Sequence, residues 1–435
     1  MKTRWMIAGA VALAAAGLTA AAVARRPALA PAATLAAANA SNPTVAADEE
    51  GVRLVAWVGM EGGAGNVYLA RAEGGGYGPA VRVNDRAGDA APHEQAPAQV
   101  AAGPGGAVYV AWQTNREVPG RRFPASDLRL ARSTDGGRTF APAVTVNADA
   151  GGMPSSHTFH NVAVDKDGTV WVSWLDSRVR DAERARHRPR AAPAAVASTK
   201  PAGQPRTGHG HGGGMAEDPT LPGGEVRVAR STDGGKTFGP EMVVDGDVCP
   251  CCRTSLAIGE DGSVFVGWRK VYAGDVRDVV VARLAPGAAA FGAPVRVHAD
   301  GWVFPGCPHA GPSLAVDARG RLHVAWYTGK EGRQGLWHAS SADGGRSFGA
   351  PAALLQGGWV PPSQVALAAE GDRVWAAWDD RRTAEGPLTL ARVEDGRVDV
   401  VARERTGRAP ALASTPRGVL LAWHQGQTVR ASEPR

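Results

Sequence analysis

One repeated unit constrains the fold of this chain more than any other feature. It is an apolar, strand-forming run that ends in tryptophan. The run is usually preceded by Pro-x-x-apolar-Ala, a glycine turn and alternating apolar residues, as between residues 312 and 326, and this pattern is typical of a two-stranded hairpin. Two further strands are expected after each hairpin, as at residues 225–230 and 241–244. The repeated tryptophans are Trp57, Trp112, Trp174, Trp268, Trp326, Trp378 and Trp423. Four strands per repeat predict the blades of a β-propeller.

The number of repeats predicts the number of blades, because a four-stranded sheet must pack its faces against neighbours in a ring. The chain is therefore predicted to form an all-β propeller of about seven four-stranded blades. A six-bladed ring with one irregular unit is the alternative. The last repeat, residues 409–432, has room for only about three strands. Residues 31–42 resemble the fourth-strand segments that begin at Pro79 and Pro142, so we expect an N-terminal strand to complete the last blade and close the ring.

The repeat runs nearly end to end, so a single propeller domain over residues 31–432 is expected for this 435-residue chain. Much of the basic excess behind the formal net charge of +6 lies between residues 178 and 206. We predict a disordered basic and His/Gly-rich insertion over residues 179–224, within the third blade. No aromatic residues interleave with its arginines, so no nucleic-acid partner is expected.

The N-terminus has the composition of an export signal. Lys2 and Arg4 precede an Ala-rich apolar stretch that ends at residue 24, and small residues at Ala22 and Ala24 permit cleavage there. We therefore predict a signal peptide over residues 1–24, with cleavage as late as residue 30 as the alternative. The expected location is the periplasm or the medium. The stretch is only weakly apolar, so no stable membrane insertion is expected, and the protein is expected to be a monomer.

Three copies of an octapeptide, Ser-x-Asp-x-Gly-x-Thr/Ser-Phe, lie at residues 133–140, 231–238 and 341–348. Asp can accept hydrogen bonds from the turn's own amides and Gly can take a positive φ, so the motif suits a tight hairpin turn. The motif resembles the Asp-box, or BNR repeat, of sialidase-like (neuraminidase-like) β-propellers, and the resemblance covers nearly all of the mature chain. It implies that the boxes join third to fourth strands, opposite the ligand site. The functional face would then carry the loops after each tryptophan and the loops between blades.

The cysteines fall into two of these expected functional-face loops. Cys249, Cys251 and Cys252 lie in the sequence VCPCCR, and Cys307 and His309 lie in WVFPGCPH. Four cysteines in an exported protein are by default two disulfides, which can pair in three ways. The alternative is a metal site, because four thiols and an imidazole suit copper or zinc. The sequence leaves both readings open.

The resemblance implies a glycan or another small anionic ligand as partner, bound by arginines and cleaved with a tyrosine and an acidic residue. The candidates on the expected face are Asp176, Asp379, Tyr327 and Tyr272 for catalysis, and Arg178, Arg253, Arg269, Arg381 and Trp302 for substrate binding. No Arg-Ile/Leu-Pro segment begins the first blade, and no single Tyr/Glu pair stands out. The resemblance therefore implies a glycan-directed protein, either an exo-sialidase-like glycoside hydrolase or a carbohydrate-binding protein, with its site on the face opposite the boxes. The alternatives are a non-hydrolytic metal-binding propeller that uses the two cysteine loops, and an interaction scaffold.

Overall fold

The computed structural model describes residues 29–36, 39–119, 124–149, 152–187 and 223–434. In these ranges the chain is almost all β, with one α-helix, α1 (Arg178–His187), and one 3-10 turn (Pro104–Gly106). The expected signal peptide lies outside the described residues. Most of the expected insertion also lies outside them, and α1 occupies its beginning. No helix in the described ranges has both the length and the apolar character that a membrane span requires.

The strands form antiparallel units in chain order. A first short strand, β1 (Ala33–Ala36), precedes them. The first unit contains β2 (Ala40–Ala47), β3 (Arg53–Glu61), β4 (Ala64–Glu73), β5 (Gly76–Tyr77) and β6 (Val81–Arg82). The second contains β7 (Gln99–Ala102), β8 (Val108–Arg116), β9 (Ala125–Ser133) and β10 (Val144–Thr145). The third contains β11 (His157–Val164), β12 (Val170–Asp176), β13 (Gly224–Ser231) and β14 (Met242–Val248).

Four more units follow, and the third and fourth units share one eight-stranded sheet through the pairing of Val248 with Lys270. The fourth contains β15 (Ser255–Ile258), β16 (Val264–Tyr272), β17 (Val276–Leu284) and β18 (Val295–Arg296). The fifth contains β19 (Ser313–Val316), β20 (Leu322–Thr328), β21 (Gly335–Ser341) and β22 (Ala352–Gln356). The sixth contains β23 (Val365–Glu370), β24 (Arg373–Asp379), β25 (Leu388–Glu394) and β26 (Arg397–Glu404). The seventh contains β27 (Arg408–Thr415), β28 (Gly418–Gln425) and β29 (Thr428–Ser432).

The N-terminal strand lies beside the C-terminal one. In β1, Thr34 pairs with Arg430 of β29, so β1 takes the fourth position in the seventh unit. The first strands of successive units also contact one another, and β27 contacts β2. Both termini are therefore held in the same unit by main-chain hydrogen bonds.

The second strand of each unit carries the repeated tryptophan near its end. All seven of these tryptophans are at most 3% exposed. Strands β12 and β20 are buried along their whole length. A strand that is covered on both sheet faces has a continuous apolar sequence, which explains the apolar run before each repeated tryptophan. The core thus lies between neighbouring units.

The three Asp-boxes join third strands to fourth strands. In the first, the Oδ1 of Asp135 accepts hydrogen bonds from the backbone N–H groups of Arg138 (2.9 Å) and Thr139 (3.0 Å), while Gly136 has a φ of 75°. The hydrogen bond from the Thr139 hydroxyl is the main reason that the pKa of Asp135 lies well below its usual value. Because neighbouring strands are antiparallel, the loops between units and the loops after each tryptophan lie at the opposite end from the boxes. That end is called the loop face below.

Candidate functional site

Three cysteine thiols meet on the loop face, in the segment that joins β14 to β15. The Sγ of Cys249 lies 3.7 Å from that of Cys251 and 3.5 Å from that of Cys252, and all three sulfur atoms lie within 4.8 Å of one another. All three residues are at most 4% exposed. Residues 249, 251 and 252 are called the thiol cluster below.

Main-chain contacts fix the segment that carries the cluster. The N–H of Cys249 donates to the carbonyl of Arg269 (2.8 Å), and the N–H of Thr254 donates to the carbonyl of Phe159 (3.0 Å). The backbone of Gly311 approaches so closely that a Cβ there would lie 2.1 Å from the carbonyl oxygen of Arg253. The cluster is thus anchored to three neighbouring units and not only to its own loop.

The sulfur spacing matches that of thiolates that share one ion. A tetrahedral site with Zn–S bonds of about 2.3 Å places its sulfur atoms about 3.8 Å apart. The two closest pairs in the thiol cluster are 3.5 and 3.7 Å apart. All four cysteines lie in the described residues, and none of them forms a disulfide there. The donor set and its spacing therefore fit a soft or borderline metal ion such as copper or zinc.

Two buried guanidinium groups lie beside the thiol cluster. Arg277 donates from Nη1 to the Sγ of Cys249 (3.1 Å) and from Nε to the carbonyl of Phe304 (2.5 Å). Arg269 is 1% exposed and donates to the carbonyls of Ala310 (2.9 Å) and Tyr327 (2.7 Å). Among the described residues no carboxylate forms an ion pair with Arg269, and the one that pairs with Arg277 is the half-exposed Asp275, at 3.7 Å. These buried positive charges favour negative charge on the neighbouring sulfur atoms.

The surroundings shift the pKa values of the three thiols in different directions. Burial raises the pKa of Cys249 to about 12 and raises that of Cys251 well above its usual value. Burial also opposes ionisation of Cys252, but hydrogen bonds from Cys249 and Cys251 and the charge of Arg269 together hold its pKa well below the usual value. Of the three thiols, Cys252 is therefore the one whose ionisation the surroundings favour.

In the second predicted cysteine loop, between β18 and β19, one residue interacts with the thiol cluster. Cys307 is exposed, and its interaction with Cys251 contributes to the raised pKa of the Cys251 thiol. His309 adopts a φ of 52° and interacts electrostatically with His93. Of the five predicted metal ligands, three form the cluster, Cys307 adjoins it, and His309 lies outside the described group of mutually close donor atoms.

Three of the four predicted clamp arginines have partners within the chain. Arg178 pairs with Asp176 (2.7 Å) and Glu241 (2.8 Å) in the third unit. Arg381 pairs with Asp379 (2.9 Å) in the sixth unit and with Glu94. Arg269 binds main-chain carbonyls, as described above. Each of these arginines, and both predicted catalytic aspartates, already has partners within the chain.

The predicted aromatic residues also have partners within the chain. The Tyr327 hydroxyl is buried and donates to the carbonyl of Val360 (2.8 Å), and burial raises its pKa to about 12. Trp302 is 6% exposed and packs edge to face against Tyr327, with ring centroids 5.5 Å apart. Tyr272 lies under the guanidinium of Arg296, which is 3.8 Å from the ring centroid. Tyr327 and Trp302 therefore contribute to the core around Arg269.

A loop between the first and second units contacts the sixth unit and the segment before it on the loop face. Glu94 on this loop forms an ion pair with Arg381 of the sixth unit, and Gln95 accepts a hydrogen bond from Gln364, which also donates to the carbonyl of His309 (3.1 Å). Arg253 lies close enough for the Glu94 charge to favour its protonation, while burial lowers its pKa to about 10. Among the described residues, no hydrogen bond or ion pair to the Arg253 guanidinium is present.

Sequence reasoning missed two residues of this arrangement, Arg277 and Gln364. Arg277 interrupts the apolar strand β17, and an arginine in such a run is the signal that could have drawn attention to it. Gln364 carries no such signal, because its role depends on contact with Gln95, in the loop between the first and second units.

No protein-family model matches the sequence, and no curated protein matches it. Among solved structures, the chain is similar to the Hadza microbial sialidase Hz136, with 14% identity, a TM-score of 0.50 and coverage of 85% of this chain and 73% of the other. It is also similar to the PL25 ulvan lyase bound to -[GlcA(1-4)Rha3S]-, with 11% identity, a TM-score of 0.57 and coverage of 92% and 95%. A protein of unknown function from Dyadobacter fermentans DSM 18053 matches at 16% identity, a TM-score of 0.49 and coverage of 91% and 98%. At these identities the likeness to the sialidase and to the lyase shows a shared sialidase-like fold.

Proposed function

We propose that this protein binds a copper or zinc ion through Cys249, Cys251 and Cys252. The observation that carries the proposal is the thiol cluster itself, with three buried sulfur atoms within 4.8 Å of one another. Thiolates are the ligands that copper(I) and zinc prefer among side chains. A ligand set that is already assembled binds its ion without a large cost of ordering the chain.

The surroundings of the cluster support the same function. Arg277 and Arg269 place two positive charges where thiolates would form on metal binding. Metal binding requires thiols to lose their protons, and nearby cations lower the free energy needed for that step. The buried cluster also limits oxidation of the thiols by solvent species, which follows exposure.

The first test is metal content together with a free-thiol count on protein purified without chelator. We expect one equivalent of copper or zinc per chain, and we expect Cys252→Ser to lose it. Cys307→Ser is the matched control, because it makes the same chemical change outside the cluster. Retained stoichiometric binding in Cys252→Ser, or protein with disulfides in place of reactive thiols, would overturn the proposal.

We propose as a second function that the loop face binds a glycan with an anionic group. Two observations support this. The solved structures with the same fold include a sialidase and a polysaccharide lyase, and the Arg253 guanidinium lies close enough to Glu94, on a loop of the loop face, to feel its charge. Guanidinium groups bind carboxylates through paired hydrogen bonds. Hydrolysis is not part of this proposal, because Asp176, Asp379 and Tyr327 each already have partners in the chain.

Calorimetric titration with a glucuronate-containing oligosaccharide and with sialyllactose tests this second proposal. We expect binding by the unmodified protein, weakening of at least tenfold in Arg253→Ala, and no change in Arg283→Ala, whose partners lie at the Asp-box end. Equal affinity of Arg253→Ala and the unmodified protein would remove Arg253 from the site. Equal binding of a neutral oligosaccharide would show that the anionic group of the ligand does not contribute to binding.

We also propose that the units form a closed seven-bladed ring, with β1 as the fourth strand of the last blade, and that the protein is an exported monomer. The β1–β29 pairing and the contact of β27 with β2 support the ring. The composition of residues 1–24 supports export.

A further inference from the structure

We infer that a cleft at the rim of the loop face binds a neutral sugar unit of a glycan, with the sugar ring stacked on the indole of Trp359. This inference rests on the proposed glycan binding and adds a second subsite, on different loops from Arg253 and from the thiol cluster. Trp359 lies in the loop between β22 and β23 and is 67% exposed, the highest value among the large apolar side chains of the described residues.

The main chain that carries Trp359 is restrained. The next residue, Val360, is buried, and its carbonyl accepts a hydrogen bond from the Tyr327 hydroxyl (2.8 Å). Pro361 and Pro362 follow, and their rings fix φ at both positions. The exposure of the indole is therefore a feature of an anchored loop. A surface that is held in place before its ligand arrives loses little conformational entropy on binding.

An open cleft of about 590 Å³ adjoins this segment, and one of its walls ends at Gly358, the residue before Trp359. Small-molecule sites have volumes of about 300–1,000 Å³, so one or two sugar units fit. Two hydrogen bonds join the walls. Gln356 donates from Nε2 to the carbonyl of Gly332 (3.2 Å), and the N–H of Gly357 donates to the carbonyl of Gln334 (3.3 Å). The lining residues are Glu331, Gly332, Gln334, Gln356, Gly357 and Gly358.

The groups in and beside the cleft match the two kinds of surface on a sugar. A hydroxyl both donates and accepts hydrogen bonds, and so do the side-chain amides of Gln334 and Gln356. The three glycines of the lining have no side chains, so a ligand can approach the main-chain amides closely. The C–H groups of a sugar ring form an apolar face, and the indole of Trp359 offers a flat apolar surface for it.

The charges around the cleft favour a neutral unit over an anionic one. The Glu331 carboxylate in the lining can accept hydrogen bonds from hydroxyls, but it repels a carboxylate or sulfate on the ligand. Arg382 lies against the wall, since a Cβ at Gly357 would be 3.1 Å from its Nη1. Its charge is already compensated by Asp380, whose Oδ2 is 2.6 Å from Nη2. The subsite therefore differs in ligand charge from the one proposed at Arg253.

The test is titration of the full chain with lactose, cellotetraose, xylotetraose and mannotetraose, followed by tryptophan fluorescence and calorimetry. We expect at least one of the four to bind and to change the tryptophan emission. Trp359→Ala should weaken that binding by at least about tenfold, which corresponds to about 1.4 kcal/mol. Trp359→Phe keeps a flat ring and should retain more of the affinity. Val243→Ala, which removes an exposed apolar side chain from the third unit, is the control and should bind as the unmodified protein does.

Each contrary outcome has its own meaning. Equal affinity of Trp359→Ala and the unmodified protein would overturn the site, and so would the absence of binding to all four sugars. A dimer that sedimentation detects in the unmodified protein and not in Trp359→Ala would show that a second copy of the chain covers the indole instead. If sialyllactose binds through Arg253 and no neutral sugar binds, this inference alone fails. If neither class of sugar binds, the proposed glycan binding fails with it.

Discussion

Arg277 donates a hydrogen bond from its Nη1 to the sulfur of Cys249, across 3.1 Å, inside a region where both side chains are buried. The two residues are brought together from different elements, since Cys249 follows β14 and Arg277 lies in β17. The arginine raises the stability of thiolate in the cluster, because a guanidinium beside sulfur favours the ionised form. The guanidinium therefore lowers the free energy needed to ionise a thiol of the cluster.

Removal of this charge should weaken metal binding. We expect Arg277→Gln to raise the Kd for Cu⁺ by about 10- to 100-fold, because a hydrogen bond to a charged group contributes about 1.5–3 kcal/mol. Competition with a chromophoric chelator measures the change. Arg283→Gln, which removes an arginine that pairs with the exposed Asp261, is the control and should leave Kd as it is. An unchanged Kd in Arg277→Gln would mean that the guanidinium does not stabilise the bound state.

The close contact at Gly311 should be essential for the placement of the cysteine loop. A Cβ in Gly311→Ala would lie 2.1 Å from the Arg253 carbonyl oxygen, so the two loops would have to separate. We expect a loss of about 1–3 kcal/mol in the free energy of unfolding and weaker copper binding. Chemical denaturation and copper titration measure both. Gly246→Ala is the control, because a Cβ there would meet no atom within 4 Å. If both variants have equal stability, the close contact at Gly311 does not exclude a Cβ at that position.

Acid should destabilise the protein partly through His160. This buried imidazole hydrogen-bonds from Nε2 to the carbonyl of Ala111 (3.1 Å), and burial lowers its pKa from 6.5 to about 4. The unfolded chain therefore takes up a proton near pH 6.5 that the folded chain accepts only near pH 4. We expect stability to fall as the pH drops through this window, by on the order of 2–3 kcal/mol for this group.

Urea unfolding across the pH range tests this dependence. His160→Gln keeps a donor toward Ala111 but takes up no proton in the window, so the variant should have a shallower pH dependence than the unmodified protein. Identical slopes for the two proteins would show that His160 is protonated to the same extent in the folded and unfolded states.

The N-terminal strand should stabilise the fold by covering the edge of β29. We expect a chain that begins at residue 39 to have a Tm at least several degrees below that of one that begins at residue 25, because β29 loses its β1 partner. Differential scanning calorimetry measures the difference. A single cooperative transition at the same temperature in both chains would contradict the proposed closure of the ring through β1.

Local patterns were sufficient to predict the class of fold. The buried tryptophans at the ends of second strands and the Asp-boxes between third and fourth strands follow from interactions within a few residues of each position. The hydrogen bonds from Arg138 and Thr139 to Asp135 are an example. The repeat length also led to the expectation of an N-terminal strand near the C-terminus, and β1 does pair with β29.

The candidate site could be predicted only in part. The cysteines were recognisable by their spacing, and the assignment of their loops to one face followed from antiparallel strand order. The partners of the arginines were not recognisable, because an arginine two residues after an aspartate is equally compatible with a free clamp and an internal pair. The structure shows the internal pair for Arg178 with Asp176 and for Arg381 with Asp379.

The sequence by itself determined the antiparallel repeats, the Asp-box turns and the proximity of Cys249, Cys251 and Cys252, because each depends on short stretches of chain. Only the tertiary structure decided that the thiol cluster lies beside Arg269 and Arg277, and that Glu94 reaches Arg381 across the loop face. The physical reason is that these contacts join loops from different units. Their formation depends on how the sheets pack and on which charges must be paired when buried, and no local pattern encodes either.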